Sequence, residues 1–432
     1  MMRKALIITY YWPPSGGSAV LRWLKFSKYL REFGWEPVIY TPENPEAQEI
    51  DESLLKDIPE GMEILKTKII EPYGIYKWLT GKKKHEKIAV ALISEKKQTG
   101  IMSRLFLWIR SNLFIPDPRV GWVNPSVRNL YRYLINNPVD VVITTGPPQS
   151  MHLIGLKLKN KLGVKWIADF RDPWTNVDFY RELLLTAYAD RQHRRLEKRV
   201  LENADQVISI SPGMTEEFVA LGVKKVTTIT NGYDTPAVIS GVPGTGKFSL
   251  VHLGSMPKSR NPENLWQVLS DLAGNNERFA ASLEIKLIGK VDQSVSESLG
   301  KLQLMRYVMR EPFVPHEKTY SILSEAAVLL LCINNTPNAK GILTNKFFEY
   351  LSAKRPIVAI GPRDGDAAAI LGETRAGKIF SYEDTETLKD HLVELFDLYS
   401  QGKLQVSGSG IEKYSRKNLT HQLSELLNQL VS

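Results

Sequence analysis

Residues 344–361, TNKFFEYLSAKRPIVAIG, are the stretch that decides how the second half of the chain is expected to fold. They predict a loop, a short helix, a break at Pro356 and then a buried strand. Phe347, Tyr350 and Leu351 recur at helical spacing and give the helix an apolar face. The stretch is therefore typical of a helix that packs on a parallel sheet.

The first turn of this helix carries the polar residues of a candidate binding site. We expect the side chain of Thr344 or Asn345 to cap the helix by accepting a hydrogen bond from a backbone N–H. Lys346 and Glu349 lie three residues apart and occupy neighbouring helical positions. A cation, a carboxylate and a helix N-terminus together suit a phosphate and a sugar diol. An exposed Lys–Glu pair without a ligand is the alternative.

Strand–helix–strand units repeat along the chain and predict its architecture. Buried strands are expected at residues 6–8, 37–40, 139–143, 165–169, 206–210 and 226–229, and then at 248–253, 283–288, 328–333 and 357–360. We predict an α/β fold of two doubly wound, Rossmann-like domains joined by a Pro- and Gly-rich linker near 235–247. The expected domains are 1–236 and 245–410. A C-terminal helix at 411–432 is expected to pack back on one of the two halves, and we suggest the N-terminal domain.

Composition limits the partners and the compartment. The 432 residues carry a net charge of +9, which predicts attraction to anionic partners. The single cysteine, Cys332, lies in an apolar run and suits a reducing cytoplasm. We expect neither a signal peptide nor a membrane-spanning segment, because the apolar stretch after the basic start is too short.

Two motifs match part of a phosphate-binding or metal-binding pattern, but the residues around them do not fit such a site. Residues 241–247 match a phosphate loop up to Lys247, but Phe248 stands where a Ser or Thr is required and a strand follows. Asp364 and Asp366 have the spacing of a metal-binding pair, although Asp366 is better explained as a helix N-cap. We therefore expect no metal and no cofactor.

Further candidates lie where predicted strands end. Gly16 and Gly17 occupy the first strand-to-helix turn and allow a ligand to approach the backbone. Lys258 and Arg260 follow the first strand of the second half and precede a helix. Ligands of such sheets bind at this edge, so we interpret both cations as candidates, with solvated loop charges as the alternative.

Acidic and imidazole groups also follow strands of the first half. Asp169, Arg171 and Asp172 lie at the end of a strand, where a carboxylate can orient a substrate hydroxyl or act as a general base. A local Asp–Arg pair is the alternative. His152 lies on the helix after the preceding strand and is a weaker catalytic candidate, because a lone helical histidine is usually structural.

A basic and aromatic insertion is predicted near residues 77–120. Its cations include Lys82, Lys83, Lys84, Lys87, Lys96, Lys97, Arg104 and Arg110. Apolar runs at 105–109 and 113–115 accompany them, as an anionic membrane surface would require. A packed helix with a solvated basic face is the alternative. Because no nucleic-acid-binding motif is present, we expect no nucleic-acid partner.

Taken in order, six motifs resemble the retaining, nucleotide-sugar-dependent glycosyltransferases of family 4. The motifs are residues 10–17, 22–25, 169–174, 229–234, 254–261 and 346–356. The resemblance implies the GT-B fold, in which two Rossmann-like domains face each other across a cleft. It also implies a cytoplasmic enzyme, peripheral at the inner face of the membrane, that acts in surface polysaccharide or glycolipid biosynthesis.

The resemblance assigns the donor site to the second domain. Glu349 matches the glutamate that binds the ribose hydroxyls of a UDP- or GDP-sugar, and Arg260 matches the basic residue on the diphosphate. Lys346 is similar to a phosphate-region lysine of some members. Gly341 stands where many members have a second glutamate at the donor sugar, so sugar recognition is expected to use other groups between residues 338 and 344.

The implied reaction is a metal-independent transfer to a glycan or lipid-linked glycan. The cations and the helix N-terminus near Asn345 would stabilise the leaving diphosphate, and the acceptor would enter past Gly16, Gly17 and Asp172. Two alternatives remain: a sugar-nucleotide epimerase of the same fold, and a non-catalytic basic membrane-binding protein.

Overall fold

The computed structural model describes residues 2–46, 50–71, 101–234, 246–312, 314–404, 406 and 408–432. The chain forms two compact units: Met1–Thr230 with Lys417–Ser432, and Asn231–Arg416. The second unit thus begins at Asn231, whereas the expected first domain ran to residue 236. Residues 235–245 of the expected linker lie outside the described residues.

The first unit contains a seven-stranded parallel sheet. Its strands are β1 (Arg3–Ile8), β2 (Trp35–Pro42), β3 (Glu63–Thr67), β4 (Val141–Gly146), β5 (Trp166–Phe170), β6 (Gln206–Ser209) and β7 (Val226–Thr228), in the order β3-β2-β1-β4-β5-β6-β7. Its helices are α1 (Ser18–Leu30), α2 (Ile101–Leu113), α3 (Val120–Asn136), α4 (Ser150–Leu162), α5 (Ala187–Asn203) and α6 (Pro212–Ala220).

The second unit contains a six-stranded parallel sheet. Its strands are β8 (Phe248–Leu253), β9 (Leu283–Ile288), β10 (Val308–Glu311), β11 (Val328–Cys332), β12 (Ile357–Ile360) and β13 (Gly377–Phe380), in the order β10-β9-β8-β11-β12-β13. Its helices are α7 (Glu263–Asn275), α8 (Glu277–Ser282), α9 (Gln293–Lys301), α10 (His316–Glu325), α11 (Asn345–Ser352), α12 (Asp366–Thr374) and α13 (Glu386–Ser400); α14 (Arg416–Val431) follows.

Both sheets are buried on two faces, as the continuous apolar runs of their strands predict. In β1, Leu6 and Ile8 belong to one core cluster and Ile7 belongs to the other, because successive side chains point to opposite faces. The cluster around Ile7 also contains Leu423 and Leu427 of α14. The C-terminal helix therefore completes the core of the first unit.

The strand order reverses once in each sheet, between β1 and β4 and between β8 and β11. In open α/β sheets, ligands bind beyond the carboxyl ends of the strands at such a reversal. The topology therefore defines two edges at which functional residues are expected, one in each unit.

Candidate functional site

The carboxyl ends of β8 and β11 carry the predicted donor-site residues of the second unit. Residues 254–262 follow β8, and residues 333–344 follow β11 and lead into α11. The two segments are joined, since the Asn335 N–H donates to the Ser259 carbonyl at 2.8 Å. The sequence candidates of this unit are thus brought to the edge where the strand order reverses.

Gly254 forms a sharp turn at the end of β8. Its φ of +98° lies in the region that favours glycine, and its N–H donates to the Ile288 carbonyl at 2.7 Å. A Cβ added to Gly254 would lie 3.5 Å from Nζ of Lys346. The Lys346 ammonium therefore lies directly beside the turn that follows β8.

Lys346 is half-buried and contacts a histidine that the sequence analysis did not select. Its Nζ lies 3.3 Å from Nε2 of His252, a fully buried residue of β8. Burial, and next the positive charge of Arg260, lower the pKa of Lys346 to about 7. The exposed Lys–Glu pair that was the alternative at this helix is therefore wrong for Lys346.

Arg260 supplies a second cation at the same edge. It ends a short 3-10 turn, and its Nε donates to Oδ1 of Asn334 while Nη1 donates to the Ser255 carbonyl at 3.4 Å. These contacts hold the guanidinium between the segments that follow β8 and β11. Its charge depresses the pKa of Lys346, so the two cations act on the same region. Lys258, two residues earlier, is exposed.

Glu349 lies on α11 one turn after Lys346 and is half-buried. Its negative charge partly opposes the depression of the Lys346 pKa. The next residue, Tyr350, is buried, and its hydroxyl accepts a hydrogen bond from the Leu253 N–H at 2.9 Å. Tyr350 thereby fixes α11, and with it Lys346 and Glu349, to the end of β8.

The predicted side-chain cap of α11 is wrong. Thr344 is the N-cap residue, but its side chain makes no capping hydrogen bond, and Asn345 is already the first helical residue. Oγ1 of Thr344 is buried and has no hydrogen-bond partner in the part of the chain that the structure describes. The Thr344 side chain therefore leaves the first backbone N–H groups of α11 uncapped.

Gly341 lies in the segment that leads to α11, at the end of a short 3-10 turn. The preceding Lys340 forms an ion pair of 2.5 Å with Asp364, and both side chains are exposed. Gly365 is the N-cap of α12, so the expected cap by Asp366 is also wrong. Within the described ranges, no three His, Cys, Asp or Glu residues are grouped as a metal site.

In the first unit, Gly16 and Gly17 lie between β1 and α1. Gly17 is the N-cap of α1 with a φ of +86°, a conformation that disfavours other residues. A Cβ added to Gly17 would meet no described atom within 4 Å. The space beside Gly17 is therefore open in the part of the chain that the structure describes.

Asp169 is fully buried and saturated with hydrogen bonds. Its carboxylate accepts from Nη2 of Arg22 at 2.8 Å, from Nε1 of Trp23 at 2.7 Å and from Oγ1 of Thr145 at 2.9 Å. Burial alone would raise the pKa of Asp169, but Arg22 and these donors hold it below its usual range. Arg22 also donates to the carbonyls of residues 229 and 230. Asp169 therefore holds α1 to the sheet.

Asp172, in contrast, is exposed just beyond the same strand. Desolvation by the surrounding protein raises the pKa of its carboxyl to about 6, although Arg171 opposes the rise. Arg171 is buried and donates to the carbonyls of Ala19 and Pro147. Asp172 thus combines access with a pKa suited to general-base chemistry.

His152 lies on α4 and is fully buried. Its Nδ1 lies 2.9 Å from Oγ1 of Thr144, and its ring stacks on Phe170 with a centroid distance of 4.3 Å. Burial lowers the pKa of His152 to about 3, so the ring stays neutral. This environment favours a structural role over contact with substrate.

Of the predicted insertion, residues 101–120, which include α2, are described; residues 77–100, with Lys82, Lys83, Lys84, Lys87, Lys96 and Lys97, lie outside the described residues. Leu105, Trp108 and Leu113 of α2 are 48%, 41% and 66% exposed. Asn112 joins α2 to the start of α5, because its Oδ1 accepts from the Thr186 N–H at 2.7 Å. The neighbouring α5 exposes a row of cations: Arg191, Arg194, Arg195, Lys198 and Arg199. None of the described helices is both long enough and apolar enough to cross a bilayer.

Solved structures share this fold across nearly the whole chain. A sucrose-phosphate synthase from Thermosynechococcus elongatus has a TM-score of 0.64 at 13% identity, with 99% of each chain covered. Anabaena HepE, in complex with UDP-glucose, has a TM-score of 0.62 at 12% identity, again with 99% of each chain covered. WaaG, a glycosyltransferase involved in lipopolysaccharide biosynthesis, has a TM-score of 0.55 at 12% identity, covering 98% of this chain and 99% of WaaG.

The sequence itself identifies the family. A search of curated protein sequences gave no match. The model of Glycosyltransferase Family 4 matches residues 19–236, just over half of the chain. Together with the two parallel sheets, this match confirms the resemblance: the chain belongs to Glycosyltransferase Family 4 and is a glycosyltransferase of the GT-B fold.

Proposed function

We propose that this glycosyltransferase transfers a sugar from a UDP- or GDP-sugar to a glycan or lipid-linked glycan. The transfer would retain the anomeric configuration, require no metal, and serve surface polysaccharide or glycolipid biosynthesis. The observation that carries the proposal is the convergence of Lys346 and Arg260 at the carboxyl edge of β8 and β11, with Glu349 one turn along α11.

Each group has a distinct role in donor binding. The carboxylate of Glu349 accepts hydrogen bonds from the ribose hydroxyls, while Arg260 and Lys346 contact the diphosphate. The backbone N–H groups at the start of α11, beside Thr344 and Asn345, add partial positive charge. Lys258 is exposed and would reach the phosphates from the segment after β8. A UDP-sugar is the first donor to test, because the structurally similar HepE is in complex with UDP-glucose.

Leaving-group stabilisation would supply most of the catalysis. As the bond between the anomeric carbon and the phosphate oxygen breaks, its electron pair passes to the diphosphate, where Lys346 and Arg260 stabilise the charge. The acceptor hydroxyl forms the new bond and loses its proton to a base. Asp172 is the candidate base, because it is exposed and the pKa of its carboxyl is raised to about 6. The Gly16–Gly17 turn would let the substrate approach the backbone, since the space beside Gly17 is open, while His152 packs against Phe170 of β5.

The acceptor would be presented at an anionic membrane surface on the cytoplasmic side. The exposed apolar residues of α2 and the cations of α5 support this, because they combine insertion with attraction to anionic lipid. The similar fold of WaaG, which is involved in lipopolysaccharide biosynthesis, is consistent with a membrane-linked acceptor.

The test is a thermal-shift screen of UDP- and GDP-sugars, followed by calorimetry on Glu349→Gln. We expect this change to weaken binding by roughly 10- to 100-fold, because the amide oxygen accepts without charge and the amide NH2 group cannot accept at all. Glu325→Gln, at an exposed position of α10, is the matched control and should bind normally. Unchanged affinity in Glu349→Gln would refute the donor assignment.

Two further experiments test the type of reaction. Addition of EDTA should leave binding and transfer unchanged if no metal takes part. Incubation with the donor alone should yield at most slow hydrolysis; an epimerised sugar nucleotide would instead establish the epimerase alternative.

A further inference from the structure

We propose that His252 is a positioning residue for the donor diphosphate, acting through Lys346. The proposal rests on the proposed function, because it assumes that Lys346 contacts the diphosphate. His252 lies on β8, 94 residues before Lys346, and its Nε2 is 3.3 Å from Nζ. In the described part of the chain, His252 is the one hydrogen-bond partner of that ammonium, so two N–H bonds remain for a ligand.

The tautomer of His252 follows from its second contact. Nδ1 lies 3.0 Å from the Leu330 carbonyl of β11, and a carbonyl oxygen can only accept. Nδ1 therefore carries the proton, and Nε2 of the neutral ring offers a lone pair to Lys346. The imidazole thus connects the backbone of β11 to the side chain of α11.

The surroundings keep His252 neutral. Burial, and next the charge of Lys346, lower the pKa of His252 well below its ordinary value; Arg260 adds to this effect, and the backbone contacts with Leu330 and Ser255 oppose it without reversing it. The other titratable groups that act on Lys346 are Cys332, whose thiol pKa is raised to about 12 by burial, and Glu349. His252 therefore remains an acceptor at neutral pH and favours the charged form of Lys346.

Two substitutions separate positioning from simple core filling. His252→Gln keeps a polar atom near the position of Nε2, whereas His252→Asn reaches only as far as Nδ1. The Asn variant therefore retains contact with Leu330 but loses the acceptor for Lys346. Val251→Ala, at the adjacent buried position of β8, controls for lost stability.

The first readout needs no ligand: acetylation of Lys346 by acetic anhydride as a function of pH, followed by peptide mass spectrometry. In His252→Asn, we expect the midpoint to fall by about one pH unit, because the charged amine loses its acceptor. His252→Gln and Val251→Ala should keep the wild-type midpoint. Equal midpoints in wild type and His252→Asn would overturn the proposal.

The second readout is the affinity for the sugar nucleotide that binds the wild type. At pH 7 we expect the affinity of His252→Asn to be lower by at least about fivefold, with recovery in His252→Gln. Normal binding by His252→Asn would overturn the proposed role of His252 but not the proposed function. If no sugar nucleotide bound even to the wild type, the proposed function would fail, and the role of His252 toward a diphosphate would fail with it.

Discussion

Donor affinity should fall steeply above neutral pH, because the Lys346 ammonium loses its proton there. Burial and the neighbouring Arg260 lower the pKa of Lys346 to about 7. The ammonium is therefore fully present below that value and is lost as the pH rises through it. A diphosphate bound to this site would meet one fewer cation at alkaline pH.

The magnitude follows from the position of this pKa. If only the ammonium form binds, affinity falls about tenfold for each pH unit above about 7. Between about pH 6 and pH 9 the loss is about 100-fold, or ~2.7 kcal/mol. By linkage, binding near pH 7 should take up about half a proton, since about half of the free protein is already protonated.

Calorimetry in buffers of different ionisation enthalpy measures both quantities. The ligand should be a complete sugar nucleotide, whose diphosphate is substituted at both ends and does not titrate in this range. Lys346→Arg should abolish the pH dependence, because a guanidinium stays charged, and Lys346→Met should bind weakly at every pH. A wild-type affinity that is constant from pH 6 to pH 9 would refute the reasoning, as would an equal decline in Lys346→Met.

Three further outcomes test other parts of the molecule. The kcat/KM of the wild type should fall about tenfold per unit below pH 6, as the Asp172 carboxyl takes up its proton, and Asp172→Asn should lack this acid limb in a pH–rate profile. Arg22→Met should cost about 3–5 kcal/mol in urea unfolding, because it leaves Asp169 buried and unpaired, and adding Asp169→Leu should restore part of the loss. Trp108→Ser should weaken binding to anionic vesicles several-fold, whereas Leu221→Ser, at a more exposed apolar position of the same unit, should not; equal vesicle binding by both variants would favour the packed helix.

The central strands of both sheets could be predicted because they are buried on two faces. Continuous apolar runs such as Val328–Cys332 mark such strands directly. The edge strands β3, β10 and β13 were not predicted from the sequence. Their residues are mostly exposed or half-buried, and Glu63–Thr67 or Val308–Glu311 reads as a mixed polar segment. Pairing with an inner neighbour, and not an apolar pattern, makes these segments strands.

The sheet edge that carries the candidate donor residues could be predicted from the sequence, because the topology of a parallel sheet determines where its loops lie. A loop between a buried strand and a helix must lie at the carboxyl end of a parallel sheet, which brings Arg260 and Lys346 to one edge. The contact between Lys346 and His252 had no such signal. His252 occupies an ordinary strand position in FSLVHL, and its partner lies 94 residues further along the chain. Only packing of α11 against β8 creates the pair.

Asp169 and Asp172 show why residue type and strand position do not by themselves assign a catalytic carboxylate. Asp169 lies within β5 and Asp172 follows it, and the sequence offered an Asp–Arg pair as the alternative to catalysis. That alternative applies to Asp169, but its partner is Arg22 of α1 and not the adjacent Arg171. Arg171 instead binds backbone carbonyls, and Asp172 stays exposed beyond the strand end. Because Arg22 pairs with the inner carboxylate, Asp172 is the carboxylate of this motif that we propose as the base.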